Sequence, residues 1–196
     1  AINDEHIIGK RKKSLDEERI DMKTKELVAM ALFVAIGAAL HAVIPPFFYG
    51  MKPDMMLIMM FMGILLFPRL QNVLVIGAVT GVISALTTAF PGGQLPNIID
   101  KPLTALMFFG VFLLVKKLNS KTLAAAGLTA AGTVLSGTIF LTAALFIVGL
   151  PGNQGFITLF SVVVLPAAVI NTIAMAVIFP IVQSIMKRSR LIEQVK

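Results

Sequence analysis

The sequence predicts an all-α membrane protein: a bundle of six transmembrane helices with the N- and C-termini cytoplasmic. Three observations lead there. Of 196 residues, 57% belong to the apolar set AVILMFWYC and only 14% are charged, whereas a soluble domain carries about 25% charged residues. The charge is also pushed to the joints: from Leu27 to Met186 there are eight charged side chains, Lys52, Asp54, Arg69, Asp100, Lys101, Lys116, Lys117 and Lys121. Finally, lysine and arginine concentrate on alternate connections, which is how a multi-span chain fixes its orientation. An ordinary water-soluble globule and a disordered tail are excluded. The formal net charge of +7 reflects orientation in a membrane and not nucleic-acid binding, because no basic run alternates with aromatics on a soluble module.

Residues 1–21 carry five basic and six acidic side chains and lack the apolar core of a signal peptide. They are expected to be a polar N-terminal extension or an expression remnant, with Ser14 and Glu17 spaced as a capping box. Residues 22–190 read as a single membrane domain and 191–196 as a cytoplasmic tail.

The first span, about 26–44, stops at Pro45-Pro46. The second, about 55–67, reaches only about 20 Å at 1.5 Å per residue, short of a hydrocarbon core of about 30 Å. It must be shielded by other helices or extended by the loop before it. The third, about 70–90, ends at Pro91-Gly92-Gly93. The fourth covers about 99–115, the fifth 122–150 and the sixth 155–186. Pro166 and Pro180 lie inside the sixth, where each removes a helix donor and invites a kink. No internal repeat is visible, so an inverted-repeat transporter has no support.

The N-terminus, Arg69, Lys116, Lys117, Lys121 and the basic C-terminal residues fall on one side. Lys52 and Lys101 fall on the other, each with an acid nearby. The positive-inside rule makes the first side cytoplasmic. The outer connections are then 45–54, 91–100 and 150–156, and they hold most of the unusual chemistry.

The first outer connection contains Phe47-Phe48-Tyr49 followed by Lys52 and Asp54. The second contains Gln94 and Asn97 and leads to Asp100-Lys101-Pro102. Both acids of the apolar body thus lie at the same face, each beside a lysine. An ionisable residue at membrane depth is by default a functional candidate. Opposite charges suit a zwitterion, a cation for its carboxylate and an anion for its ammonium. The plainer alternative is that Lys52–Asp54 and Asp100–Lys101 merely neutralise each other at the interface. Asn171, between the two prolines of the sixth span, either caps carbonyls freed by a kink or reaches a ligand. Asn153 and Gln154 are turn residues or ligand contacts. His41 is a packing residue, a ligand contact or a titrating group. The run Met55, Met56, Met59, Met60 and Met62 is adaptable apolar packing and not a metal path.

Ala31, Ala35 and Ala39 recur every fourth residue in the first span, and Gly77 and Gly81 in the third. Small residues four apart let helix backbones approach closely in lipid, either within the chain or against another protein. No enzyme is expected: there is no GxxxxGK[ST], HExxH or GxSxG motif, and neither Asp54 nor Asp100 follows a glycine. With no cysteine in the chain, no thiolate nucleophile or thiolate metal site is possible. No cofactor or metal is expected.

Several strings carry a resemblance: Met22-Lys-Thr-Lys-Glu-Leu-Val, the Ala31/Ala35/Ala39 stripe, Gly50-Met-Lys-Pro-Asp-Met-Met, Phe67-Pro, Gln71-Asn-Val-Leu, Thr80-Gly-Val-Ile-Ser-Ala-Leu-Thr-Thr-Ala-Phe-Pro and Pro96-Asn-Ile-Ile-Asp-Lys-Pro. From Met22 to about Met186 the chain resembles the TrpP-type tryptophan transport proteins of Firmicutes, which look like substrate-binding S components of energy-coupling factor (ECF) transporters. The resemblance implies six helices, a ligand bound near the outer surface, and docking on a transmembrane coupling protein that carries two ABC ATPases. It implies that Ala31, Ala35 and Ala39 face that coupling protein. It also directs attention to Gln94, Asn97, Asp100, Lys101, Asn153 and Asn171 as ligand contacts, with the first loop as a lid.

The expected function is tryptophan binding by a multi-pass subunit of the bacterial plasma membrane, with membrane lipid and the ECF module as partners. The indole would stack on Phe47, Phe48 or Tyr49, Asp54 or Asp100 would hold the ammonium, and Lys52 or Lys101 the carboxylate. The rivals are a stand-alone proton-coupled carrier using Asp100 and His41 as a relay, and an S component for a vitamin.

Overall fold

The structure, a computed structural model, describes residues 24–45, 53–115, 121–153 and 155–189. The N-terminal extension, Phe47, Phe48, Tyr49, Lys52, Gln154 and the tail 191–196 lie outside the described residues, as does the side chain of Asn153.

Among the described residues, six membrane-type helices run in the order the hydropathy requires. They are α1 (Thr24–Val43), α2 (Met55–Leu66), α3 (Leu70–Thr87), α4 (Gln94–Val115), α5 (Lys121–Ile147) and α6 (Phe156–Arg188). Five are long and apolar enough to cross a membrane, and α2 is the short exception. Its 12 residues span only about 18 Å, and it survives by being enclosed. Eleven of the 12 are buried, the expected fate of a helix that is apolar all round. Helix α3 packs on α4, α4 on α5 and α5 on α6, and α2 touches all four. Helix α1 closes the remaining side through Ala29, Met30, Phe33 and Val34.

Methionine fills the centre. Met55, Met56, Met59, Met60 and Met62 all belong to the core. Phe61 of α2 stacks on Phe108 of α4 with ring centroids 4.0 Å apart. Gly132 of α5 makes room for this pair, since a Cβ there would lie 2.7 Å from Phe61 and 2.8 Å from Phe108. Gly77 and Gly81 bring α3 close to α4 as their spacing predicts. A Cβ on Gly77 would meet Ala105 at 2.9 Å, and one on Gly81 would meet the Asn97 carbonyl at 3.3 Å.

Ala31, Ala35 and Ala39 have a different fate. All three lie on the exposed face of α1, so this stripe does not pack against the other described helices. It shares that face with Leu32 and Ile36. Elsewhere the outer surface is apolar, with Leu86, Leu114, Phe146 and Ile157 about four-fifths exposed; in water such a surface would be a liability, in lipid it is the solvated state.

Two expectations need correction. Helix α4 begins at Gln94, five residues before the expected start, so 94–100 is helix and not connection. Proline in a first turn costs nothing, because that turn's N–H groups have no intrahelical partner, and Pro96 sits there. Helices α3 and α5 stop about one turn short of their expected ends, at Thr87 and Ile147. At Pro166 the helix adjusts to the donor that the sequence expects it to lose. The helix widens to a π turn over Phe160–Val164 immediately before it, with the Leu165 N–H donating to the Phe160 carbonyl, which accommodates the missing donor.

Candidate functional site

The segment joining α3 to α4 sets the position of the first charges. Gly92 adopts φ +71°, and a Cβ there would lie 2.4 Å from Val148; only glycine combines that backbone with that contact. The Gly93 N–H donates to the Phe90 carbonyl (2.9 Å). The Asn97 amide then donates to the Gly93 carbonyl (2.8 Å) and ties the start of α4 to its own turn. Asp100 and Lys101 follow about 9 Å into the helix, on its buried face.

There they form an ionic cluster. Asp100 is fully buried. Its Oδ1 accepts from Thr104 Oγ1 (2.7 Å), one helical turn on, and its Oδ2 from Ser136 Oγ of α5 (2.8 Å). Lys101 Nζ lies 2.9 Å from Asp100 Oδ2, 3.2 Å from Asp54 Oδ2 and 3.3 Å from Ser136 Oγ. An ammonium has three N–H groups, and three oxygens surround this one.

Asp54 enters from the other side. It caps α2, its Oδ1 accepting from the Leu57 N–H (3.0 Å), as an N-cap aspartate should. Its own backbone N–H donates to Asn171 Oδ1 (2.9 Å). Asn171 is fully buried and donates to Thr133 Oγ1 (3.3 Å). Helices α2, α4, α5 and α6 are thereby joined through polar side chains at one level of the bundle.

Two carboxylates share one ammonium here, an arrangement tolerable out of water only because every charge is paired and hydrogen-bonded. The cluster is graded in exposure. The side chain of Asp100 is 0% exposed and that of Lys101 5%, whereas Asp54 is 29% exposed. Asp54 is therefore the member a solute meets first. His41 of α1 lies near enough to act on its carboxylate. On α3, Thr80 Oγ1 and Ser84 Oγ are buried without a hydrogen-bond partner among the described residues, which is unusual for interior hydroxyls. One turn from Ser136 along α5, Phe140 makes an edge-to-face contact with Phe90, centroids 5.1 Å apart. This end of the bundle thus offers paired charges, spare hydroxyls and aromatic rings, a set suited to a small molecule with a charged end and a flat apolar end.

Of the candidates named from sequence, Asp54, Asp100, Lys101 and Asn171 are brought together. Asn97 is buried but committed to its own turn, and Gln94 is exposed at the helix start. Asn153 falls in a short 3-10 turn, Pro151–Asn153. Of the two neutral pairs in the plainer alternative, only Asp100–Lys101 falls within the described residues, since Lys52 lies outside them. Asp100 does pair with adjacent Lys101, but the same lysine also reaches Asp54 from the other segment. Asn171 bonds Asp54 and Thr133, not carbonyls freed by the prolines. Sequence reasoning missed Thr104, Thr133 and Ser136. Thr104 was signalled by its spacing of four from Asp100, which stacks the two on one helix face.

Residues 23–187 match the family described as "Tryptophan transporter TrpP". A Bacillus subtilis protein named "Probable tryptophan transport protein" is 71% identical over 175 residues, covering 89% of this chain and all of the relative. Proteins of the same name from Clostridium acetobutylicum and Clostridium perfringens are 43% and 38% identical, covering 85% and 86% of this chain and 96% and 97% of theirs. No solved structure matches the chain. With its apolar helices of spanning length and these bacterial relatives, the chain is a multi-pass bacterial membrane protein. It belongs to the TrpP family of tryptophan transporters.

Proposed function

We propose that this chain is the tryptophan-binding subunit of an ECF-type importer. It binds the amino acid near the extracellular end, with both termini in the cytoplasm, and delivers it through a transmembrane coupling protein powered by two ABC ATPases. One observation carries the reading of the site: Asp54, Asp100 and Lys101, from two segments far apart in sequence, meet in one buried cluster. Charges in an apolar bundle are expensive to keep, and a zwitterionic ligand gives this set a use. The relatives' names, each a probable tryptophan transport protein, support the choice of ligand. Within the cluster Asp54 holds the ammonium and Lys101 the carboxylate. The indole is held by aromatic side chains, from Phe47, Phe48 and Tyr49 or from Phe140, a contact worth about 0.5–1.5 kcal/mol beyond the area buried.

Coupling to a partner is supported by two features. The chain has no phosphate-binding loop of its own, and the small-residue stripe of α1 is turned away from the bundle, open to close approach by another helix.

Two measurements test this. Mass spectrometry of small molecules extracted from gently purified protein is expected to find tryptophan; a vitamin there instead makes the chain a binding subunit for a different substrate. Uptake of labelled tryptophan by cells expressing the chain is expected to require the coupling module and its ATPases. Uptake without that module, abolished by dissipating the proton gradient, would make it a stand-alone carrier.

A further inference from the structure

We propose that tryptophan binds by exchanging partners with the Asp54–Lys101 ion pair: its carboxylate takes Lys101 and its ammonium takes Asp54, so the ligand stands between two charges that otherwise hold each other. This rests on the tryptophan-binding reading above and specifies how that site selects its ligand.

The argument begins with saturation. The three N–H groups of Lys101 face Asp100 at 2.9 Å, Asp54 at 3.2 Å and Ser136 at 3.3 Å. Lys101 is the only basic side chain between Arg69 and Lys116. A ligand carboxylate reaches it only if one of the three oxygens lets go. Asp100 is poorly placed to do so. It is fully buried, adjacent in the same helix, and fixed by Thr104 and Ser136 at 2.7 and 2.8 Å. Ser136 is itself tied to Asp100. Asp54 comes from a separate segment, makes the longer of the two ionic contacts, and is the one partly exposed member.

Released Asp54 keeps its capping bond from the Leu57 N–H and needs a new cation, which the ligand ammonium supplies. The Asp54–Lys101 pair is exchanged for two, ligand carboxylate with Lys101 and ligand ammonium with Asp54, while Asp100–Lys101 persists, so no charge is stranded in the apolar interior, where removing one partner of a pair is strongly unfavourable. A ligand with only one of the two charges breaks the pair without replacing it. Selectivity for an intact amino acid follows. The exchange also converts a direct link between the start of α2 and α4 into one that runs through the ligand, while the Asp54 N–H to Asn171 bond holds the α2 end in place.

The competing scheme is simple addition. The ammonium would join the two-carboxylate cluster with the Asp54–Lys101 bridge intact, and the carboxylate would contribute little. Three indole ligands separate the schemes: tryptophan, tryptamine (no carboxylate) and indole-3-propionate (no ammonium). The chain contains no tryptophan, so each ligand is its own fluorescent reporter on the full-length protein in detergent.

For the wild type, exchange predicts both analogues bind about 100-fold or more weaker than tryptophan. Asp54→Asn keeps a capping oxygen and releases Lys101. In that variant indole-3-propionate should bind about tenfold or more tighter than to the wild type, while tryptophan binds about tenfold or more weaker. Tryptamine within about threefold of tryptophan on the wild type would overturn exchange in favour of addition. So would an Asp54→Asn affinity for indole-3-propionate that stays level or falls. If the variant does not fold, the wild-type comparison alone decides. Failure of tryptophan itself to bind the wild type would defeat the substrate reading, an outcome separate from either analogue result.

Discussion

The backbone N–H of Asp54 donates a 2.9 Å hydrogen bond to the side-chain oxygen of Asn171, 117 positions away. This bond fixes the start of the buried helix α2 to the middle of α6, at the level of the ionic cluster. Asn171 also donates to Thr133, so one amide holds three helices in register.

Replacing Asn171 by leucine removes both bonds and strands the Asp54 N–H. The expected loss is about 1–3 kcal/mol of stability, read as a lower thermal unfolding midpoint in detergent. Thr172→Val is the control, since Thr172 bonds only its own helix at Ala168 (2.6 Å); it should change stability by less than about 0.5 kcal/mol.

Asp100 anchors Lys101 from beneath. Asp100→Asn keeps the shape but removes the charge that holds the ammonium in place, and tryptophan affinity should fall about tenfold or more. Equilibrium titration checks this. An unchanged dissociation constant would remove Asp100 from the site.

Two glycines of α5 should respond oppositely to alanine. At Gly132 the added methyl meets the stacked Phe61 and Phe108 rings at 2.7 and 2.8 Å, and overpacking of that kind costs about 1–3 kcal/mol. At Gly127 no atom of another described element lies within 4 Å of the added methyl, and the substitution should be neutral or stabilising by up to about 1 kcal/mol. Unfolding midpoints of the two variants separate the cases.

The outward stripe of α1 gives a prediction that separates binding from transport. Ala35→Phe places a bulky ring on a face of α1 that is exposed among the described residues. Folding and tryptophan affinity should be unchanged, while uptake through the coupling module falls about tenfold or more as close helix approach is blocked. Wild-type uptake in this variant would remove Ala35 from the partner interface.

Much of this was legible in the sequence because lipid leaves little freedom. A charge within an apolar span must pair or face a polar space, so Asp54, Asp100 and Lys101 pointed to a shared site at one face of the bundle. Gly77 and Gly81 likewise announced a close helix approach, though not that its partner is α4. Hydroxyls gave no such signal. Ser136 and Thr133 look like the many serines and threonines that bond their own helix, as Thr138 and Thr172 do here, and only the tertiary arrangement separates the two kinds. The start of α4 was misplaced because Pro96 reads as a breaker when it stands in the one turn that needs no donor. The sharing of Lys101 was hidden for another reason. Each acid has a lysine nearby in sequence, and nothing local shows that one lysine serves both.

The most direct test of the account is the emission spectrum of tryptophan added to the purified wild-type protein, whose own sequence contains no indole. The account predicts a saturable blue shift as the ring leaves water for the aromatic end of the bundle, reversed by an excess of a non-fluorescent tryptophan analogue. Emission that stays at the aqueous wavelength at every protein concentration would contradict it.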